Sequence, residues 1–299
     1  MKELSALIKR NTKLFFKDKG MFFTSLITPL ILLVLYATFL GKVYRDSFAI
    51  SVPAGVIIPP EVLDGCVGGQ LFAALLAVSC ITVSFCSNFL MVQDKVTGAR
   101  GDLLMTPVKK LTMALGYYIS TVLATLIICF VAGGACLVYI AFTGWYFSVL
   151  DVVLILGDIL LLVLFGTALS SIINYFLSSQ GQISAVGSIV SAGYGFICGA
   201  YMPISQFGEG LQKILSFLPG TYGTSLLKNH AMQGVFREME TLNIPTEAIE
   251  GMRKAIDCSF QFFGNDVSVG AMYAVLIGSV ALLVGAYVLI HKLLGNKKK

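Results

Sequence analysis

The chain has 299 residues, of which 57% are hydrophobic and only 12% are charged. Soluble domains carry about 25% charged residues, because a surface in water requires them. The mean hydropathy of +0.85 excludes an ordinary soluble domain and predicts a chain that lies in lipid. The formal net charge of +5 does not indicate a nucleic-acid partner, since the basic residues are distributed as in membrane proteins.

Residues 1–20 predict an amphipathic helix. Apolar side chains recur at helical spacing, and the basic side chains lie largely on the opposite face. The segment has two interpretations: a solvated basic flank of the first membrane span, or an interfacial helix that lies along the membrane lipid and contacts a cytoplasmic partner. The apolar residues are Leu4, Leu7, Ile8, Leu14 and Phe15.

Long apolar runs occupy most of the remaining chain. A helix needs about 20 apolar residues to cross the hydrocarbon core of a bilayer. A β-barrel would need short segments of alternating polarity, whereas these runs are continuous. The predicted fold class is therefore an all-α integral membrane protein, in which residues 1–299 form one transmembrane domain. Six transmembrane helices are predicted, near 21–41, 67–92, 113–141, 149–176, 182–203 and 267–290.

The distribution of basic residues predicts the orientation of these helices. Residues 1–20, the loop 93–111 and the C-terminal tail lie on one side of a six-span chain and hold 14 of the 21 lysines and arginines. Because cytoplasmic segments are enriched in Lys and Arg, both termini are predicted to be cytoplasmic. The chain is thus expected to be a multi-pass protein of the plasma membrane.

Two outer segments follow from this orientation. The first, 42–65, contains three prolines and is predicted to be irregular. The second, 204–266, is weakly polar and interrupted by Gly and Pro up to position 232, which predicts short re-entrant helices in the outer leaflet. Its remainder is polar. The sequence leaves open whether Cys66 and Cys258, the two cysteines near these segments, form a disulfide.

The loop 93–111 combines charge and glycine with a short apolar cluster. Pro107 disfavours a helical conformation of the residue before it, so the cluster is predicted to form a short helix that ends in a proline turn. Exposed apolar side chains on such a helix are typical of a docking site for a soluble partner; a plain connector is the other interpretation. The candidate docking residues are Lys95, Gly98, Arg100, Gly101, Asp102, Leu103, Leu104, Met105, Thr106 and Pro107.

The fourth and fifth predicted spans contain candidate residues for a pathway or a dimer contact. Asp158 lies about two turns below the outer end of its span. A carboxylate at this depth faces protein or water, so it either lines a substrate path or is a hydrogen-bonded structural acid. Small residues along span five let helices approach closely, within the chain, across a dimer seam or at a pathway wall. They are Ser184, Ser188, Ala192, Gly195 and Gly199.

Common catalytic motifs are absent from the sequence. It has no Gly-x-x-x-x-Gly-Lys-Ser/Thr phosphate loop, no His-Glu-x-x-His motif and no Gly-x-Ser-x-Gly motif. The two histidines, His230 and His291, are predicted on opposite sides of the membrane, where they cannot share a metal or form one general-base site. We therefore expect that the chain is not an enzyme and binds no metal or cofactor.

Taken in order, these features resemble the type-2 permeases of ATP-binding-cassette (ABC) exporters, a family of bacterial drug, antibiotic and polysaccharide exporters. The basic amphipathic N-terminus resembles their connecting helix. The sequences KVTG at 95–98 and LLMTP at 103–107 resemble their cytoplasmic loop, although Lys95, Val96 and Ala99 depart from the glutamates that are common there. The sequences GAYMP at 199–203 and LPGTY at 218–222 resemble the end of their fifth span and the re-entrant helices that follow it.

The resemblance implies a dimer of permeases, formed with a second copy or a paralogue, and one soluble ABC ATPase docked under each permease at the loop. ATP and Mg²⁺ would be bound by the ATPases. The dimer would move an amphiphilic substrate, such as a drug, antibiotic, lipid or peptide, outward along a path between the permeases. Three alternatives remain: a secondary transporter or channel that needs no ATPase, a membrane-embedded enzyme, and a scaffold that only assembles other proteins.

Overall fold

The computed structural model describes residues 2–50, 56 and 58–293; the basic tail 297–299 and Pro53 lie outside them. The described part is almost entirely helical, apart from one hairpin in which Gln261 of strand β1 (Gln261–Phe262) faces Asp266 of strand β2 (Asn265–Asp266). A π-helical turn, Tyr36–Leu40, joins the second and third helices, and a 3₁₀ turn, Ile204–Gln206, precedes the tenth. The α-helices are α1 (Lys2–Lys17), α2 (Lys19–Leu35), α3 (Gly41–Ile50), α4 (Pro60–Asn88), α5 (Leu90–Val96), α6 (Ala99–Met105), α7 (Lys110–Thr143), α8 (Val149–Phe176), α9 (Gln180–Ile197), α10 (Glu209–Leu215), α11 (Pro219–Thr241), α12 (Thr246–Ala255) and α13 (Val269–Leu293).

Five helical stretches in the described part are long and apolar enough to cross a membrane. They correspond to predicted spans one to four and six, so the fold is that of an all-α membrane protein. The predicted fifth span corresponds to α9, which is not among the five. It has 18 residues, and its glutamines, serines and glycines lower its hydropathy. The five stretches are Lys19–Ile50, Pro60–Val96, Lys110–Phe142, Val149–Phe176 and Val269–Leu293.

The N-terminal helix packs onto the bundle through its apolar face. Leu7 and Phe15 are buried, whereas the lysines of α1 are exposed. A Cβ atom on Gly116 of α7 would lie 3.0 Å from Leu7, so the two helices are in close contact. The chain turns at Asp18, whose carboxylate accepts a hydrogen bond from the backbone N–H of Met21 and caps α2.

The prediction of an irregular segment from residue 42 onward is wrong for residues 42–50. The first span continues through the π-helical turn into α3 and ends at Ile50. Tyr44 and Phe48 are buried, and the rings of Tyr36 and Tyr44 stack with their centroids 5.5 Å apart. Burial of these aromatic side chains stabilises the extra helical turns, although the segment also carries Lys42 and other charged residues.

Helix α4 forms the centre of the bundle and contacts α2, α7, α8, α9 and α11. Its glycines allow this crowding: a Cβ on Gly69 would lie 2.9 Å from the carbonyl oxygen of Ala231, so α11 rests directly on α4. Polar side chains strengthen the contact with α8, because the Asn88 amide donates to Ser170 and Ser171 at 3.0 and 2.8 Å. Interhelical hydrogen bonds of this kind stabilise helix packing in lipid.

Helix α11 differs from the short helices that the glycines and prolines predict, because it runs unbroken for 23 residues. It lies antiparallel to α8, so that Arg237 pairs with Asp151 near the start of α8 and Gly220 lies beside Phe165. Phe165 is about 24 Å along α8 at 1.5 Å per residue. The glycines do not end this helix. Gly220 and the other small residues instead make room for side chains of neighbouring helices.

Helix α9 ends six residues before the predicted end of span five. Gly199 adopts a φ of +75°, and the N–H of Ala200 donates to the carbonyl of Gly195 at 2.9 Å. This is the hydrogen bond of a glycine-terminated helix end. The chain then passes through Pro203 into the 3₁₀ turn instead of continuing as a helix.

Candidate functional site

The loop between α4 and α7 contains a short helix with exposed apolar side chains. Gly98 precedes α6 with a φ of +85°, a left-handed conformation that favours glycine. Leu103 packs partly against the core, whereas Leu104 is 41% and Met105 90% exposed. The Thr106 hydroxyl donates to the carbonyl of Leu103 at 2.6 Å, and Thr106 itself has an extended backbone before Pro107. We call the end of the bundle at which α6 lies the loop end.

Lys95 points away from this surface and joins the loop to α8. Its Nζ donates to the carbonyls of Asn174, Tyr175 and Leu177 at 3.0, 2.6 and 3.0 Å. These carbonyls lie at the end of α8, where helices leave such groups without intrahelical partners. The ammonium also lies 5.5 Å from the centre of the Tyr175 ring. Lys95 therefore caps α8 instead of facing outward with the other loop candidates.

A second connection joins the loop to α1 and α7. Arg10 donates from both terminal nitrogens to Asp94, at 2.7 and 3.1 Å, and the Tyr117 hydroxyl donates to the same carboxylate at 2.5 Å. The hydrogen bond to Asp94 raises the pKa of Arg10 above its ordinary value. Such two-pronged pairs fix orientation as well as position.

The two connections anchor α5, the helix that directly precedes α6, against α1, α7 and α8. Arg100 is half-buried, while Gly101 and Asp102 are exposed beside Leu104 and Met105. Leu104 and Met105 thus form an exposed apolar surface beside the anchored helix α5.

Asp158 is completely buried inside the chain, with 0% exposure. It accepts hydrogen bonds at 2.6 Å from the Tyr273 hydroxyl and pairs at 2.6 Å with Nδ1 of His230. A buried acid with two partners fits the interpretation of a hydrogen-bonded structural group, because its oxygens are engaged by α11 and α13.

The small residues of α9 divide into two groups. Ser184, Ser188 and Ala192 are exposed and face away from the rest of the chain. Gly195 instead packs against the Tyr201 ring, and Gly199 forms the helix end described above. Packing within the chain thus accounts for the two glycines, while the other three form an open face.

The sequence analysis missed a cluster that holds α11 in place. Lys228 is 1% exposed, and its Nζ donates to the carbonyls of Gly199 and Ile256, both at 2.8 Å. The Asp257 carboxylate lies 3.9 Å from the same nitrogen and accepts a hydrogen bond from Ser205 N–H at 3.2 Å. A single lysine in a weakly polar stretch is the only sequence signal for this cluster. The pair of Arg10 and Asp94 was also not predicted, because the two residues are 84 positions apart in the sequence.

The remaining candidates for chemistry are separate from one another. His230 pairs with Asp158, whereas His291 lies at the loop end between the rings of Tyr175 and Tyr287. Among the described residues, no group of three His, Cys, Asp or Glu side chains could hold a metal ion. Cys66 and Cys258 are both buried free thiols.

The described residues thus form an all-α membrane bundle with an exposed loop helix. A family model for ABC-2 type transporters matches residues 2–232, and the chain belongs to that family. The resemblance noted from the loop and the end of span five is thereby confirmed. The search of individual curated proteins gave no significant match. The chain is thus an ABC transporter permease and a multi-pass protein of the plasma membrane, and its family forms the transmembrane rather than the catalytic component.

Proposed function

We propose that this chain is the permease subunit of an ABC exporter that moves an amphiphilic substrate outward and is driven by a separate soluble ATPase. The observation that carries the proposal is the loop helix α6. It presents Leu104 and Met105 outward, while Lys95 and Asp94 on the preceding helix α5 brace the loop against α1, α7 and α8. A loop that only connects two spans needs neither an exposed apolar pair nor a brace.

In this proposal one ATPase docks at the loop of each permease, giving two ATPases per complex. ATP and Mg²⁺ are bound by the ATPases, and this chain binds no cofactor and no nucleic acid. Closure of the ATPases around ATP displaces α6, and the contacts of Lys95 and Arg10 pass the displacement to α8 and α1. Coupling by rigid packed elements of this kind requires two discrete arrangements of the membrane helices.

The proposed orientation places the loop end and both termini in the cytoplasm, because most basic residues lie in those segments. Helix α9 is the proposed fifth span, which brings the number of spans to six, and residues 1–299 form one transmembrane domain. The segment 204–266 is then extracellular. The contact of Gly220 with Phe165, deep along α8, supports re-entry of α11 into the membrane.

A second permease copy, or a paralogue, is proposed to cover the open face of α9. The exposed small residues Ser184, Ser188 and Ala192 allow close approach of another helix. Ile189 on the same helix is also largely exposed. The rest of the bundle surface contacts membrane lipid. Copies that carry Ser188→Cys should form an intermolecular disulfide in membranes, whereas Ser148→Cys in the cap of α8 should not.

Capture of the ATPase tests the main proposal. The tagged chain is purified in mild detergent from its native host, and co-purified proteins are assayed for ATP hydrolysis. We expect a stoichiometric ATPase that is lost when Leu104 and Met105 are both changed to Asp. Leu242→Asp is the matched control, because Leu242 is exposed outside the loop, after α11. An intact protein without any ATPase would favour a secondary transporter, and Asp158 would then be the residue to test.

A further inference from the structure

A large apolar cavity lies between α2, α4 and α7, away from both the loop and the open face of α9. Its volume is about 1160 Å³, which exceeds the range of about 300–1,000 Å³ that is usual for small-molecule sites. Ile127 and Val131 line it and are exposed, so the cavity opens to the surrounding lipid. Much of the wall is aliphatic, and includes Leu26, Leu33, Leu71, Ile128 and Ala135.

The depth of the cavity corresponds to one leaflet on α4 and α7, whereas its wall on the first span extends from Phe22 to Arg45, or about 34 Å. Its wall on α4 extends from Asp64 to Leu75, which is about 16 Å at the helical rise of 1.5 Å per residue. Its wall on α7 extends from Ile127 to Tyr139, or about 18 Å. Half of the hydrocarbon core of a bilayer is about 15 Å thick. The walls on α4 and α7 therefore have the length of the acyl chains of a single leaflet.

The charged lining residues are at the end of the cavity farthest from the loop. Arg45 and Asp64 form an ion pair, so their charges cancel. Lys42 is exposed, and within the described ranges it has no ion-pair partner. The mouth thus carries one net positive charge at the level of the lipid headgroups, where a lysine attracts anionic phosphate.

We propose that this cavity binds one glycerophospholipid of the leaflet opposite the loop end. The acyl chains lie between α2, α4 and α7, and the phosphate contacts Lys42. The site is distinct from the ATPase-docking surface and from the proposed path between two permeases. It therefore adds a lipid-binding function to the exporter and does not depend on that function being correct.

Lipid retention by single-residue variants tests this proposal. The purified full chain is incubated with palmitoyl-oleoyl-phosphatidylglycerol in detergent, and bound phospholipid is counted by native mass spectrometry. We expect Ala135→Trp, which fills the cavity, to lose one phospholipid per chain. Ala141→Trp is the matched control on the same helix, since Ala141 is exposed and lies outside the cavity wall. Leu33→Trp on α2 provides a second filling variant should the first fail to fold.

The headgroup contact has its own test. Lys42→Glu should weaken retention of phosphatidylglycerol about tenfold, whereas Lys254→Glu, an exposed control with the same charge change, should leave it unaltered. Lipid retention at the wild-type level in both Ala135→Trp and Leu33→Trp would overturn the site. Wild-type retention in Lys42→Glu would overturn the phosphate assignment. ATPase capture measured on the same variants should stay at the wild-type level, which separates this result from failure of the docking proposal.

Discussion

The contact of Arg10 with Asp94 should stabilise the protein far more than an ordinary surface ion pair. The Asp94 side chain is 7% exposed and that of Arg10 is 30% exposed, and two hydrogen bonds join them. In Arg10→Ala the carboxylate stays buried and keeps only the Tyr117 hydroxyl as a side-chain partner. Hydrogen bonds to charged groups contribute about 1.5–3 kcal/mol each, and exposed pairs less. Because Arg10 is partly solvated, we expect a loss of about 2 kcal/mol in the free energy of unfolding.

A double-mutant cycle measures this contribution. Arg10→Ala, Asp94→Ala and the double variant are unfolded with denaturant in detergent, and their free energies of unfolding are compared. The coupling energy should be about 1.5 kcal/mol. Lys13→Ala is the control on the same helix, because Lys13 is exposed. Combined with Asp94→Ala, it should be additive within about 0.5 kcal/mol.

Amide hydrogen exchange in the same variants tests the brace at the loop itself. Amide hydrogen exchange in α6 should accelerate in Arg10→Ala, because the loop loses its connection to α1. Additive energies for Arg10 and Asp94, together with unchanged exchange in α6, would refute the brace and with it the proposed route from loop to membrane helices.

Three further predictions concern the loop, a buried thiol and the buried acid. Gly98→Ala should destabilise α6 by about 1–2 kcal/mol because of the positive φ of Gly98. Gly101→Ala, also in open space, should stabilise α6 by about 0.5–1 kcal/mol. Local amide exchange measures both changes, and stability changes of the same sign would contradict the geometry. Burial raises the pKa of the Cys258 thiol to about 12 from 9.0. The stability that this thiol contributes is therefore present below its pKa in the unfolded state and is lost as pH rises toward its pKa in the folded state. Maleimide at about pH 8 should modify Cys258 only after unfolding, and rapid labelling of the folded protein would show that the thiol is accessible. His230→Ala should cost about 2–3 kcal/mol in denaturant unfolding because it leaves Asp158 with an unpaired oxygen; the cost should largely vanish in an Asp158→Asn background, and its persistence there would assign the effect to packing.

The sequence by itself determined the class of protein and the positions of most spans. Span four is predicted at 149–176 and observed as Val149–Phe176. The short loop helix before Pro107 was also predictable. These features depend on the length of apolar runs and on the local conformations of Gly and Pro, which the order of residues along the chain fixes directly.

Only the tertiary structure decided which polar groups meet. Lys95 reads as a loop charge in the sequence but caps α8, and Asp158 has partners on α11 and α13. Helix α11 reads as broken re-entrant pieces, yet its glycines are contact points and Lys228 is satisfied by carbonyls of two other segments. Such pairs depend on which helices are neighbours in the bundle. Apolar runs fix how long each helix is and leave its neighbours and rotation to packing.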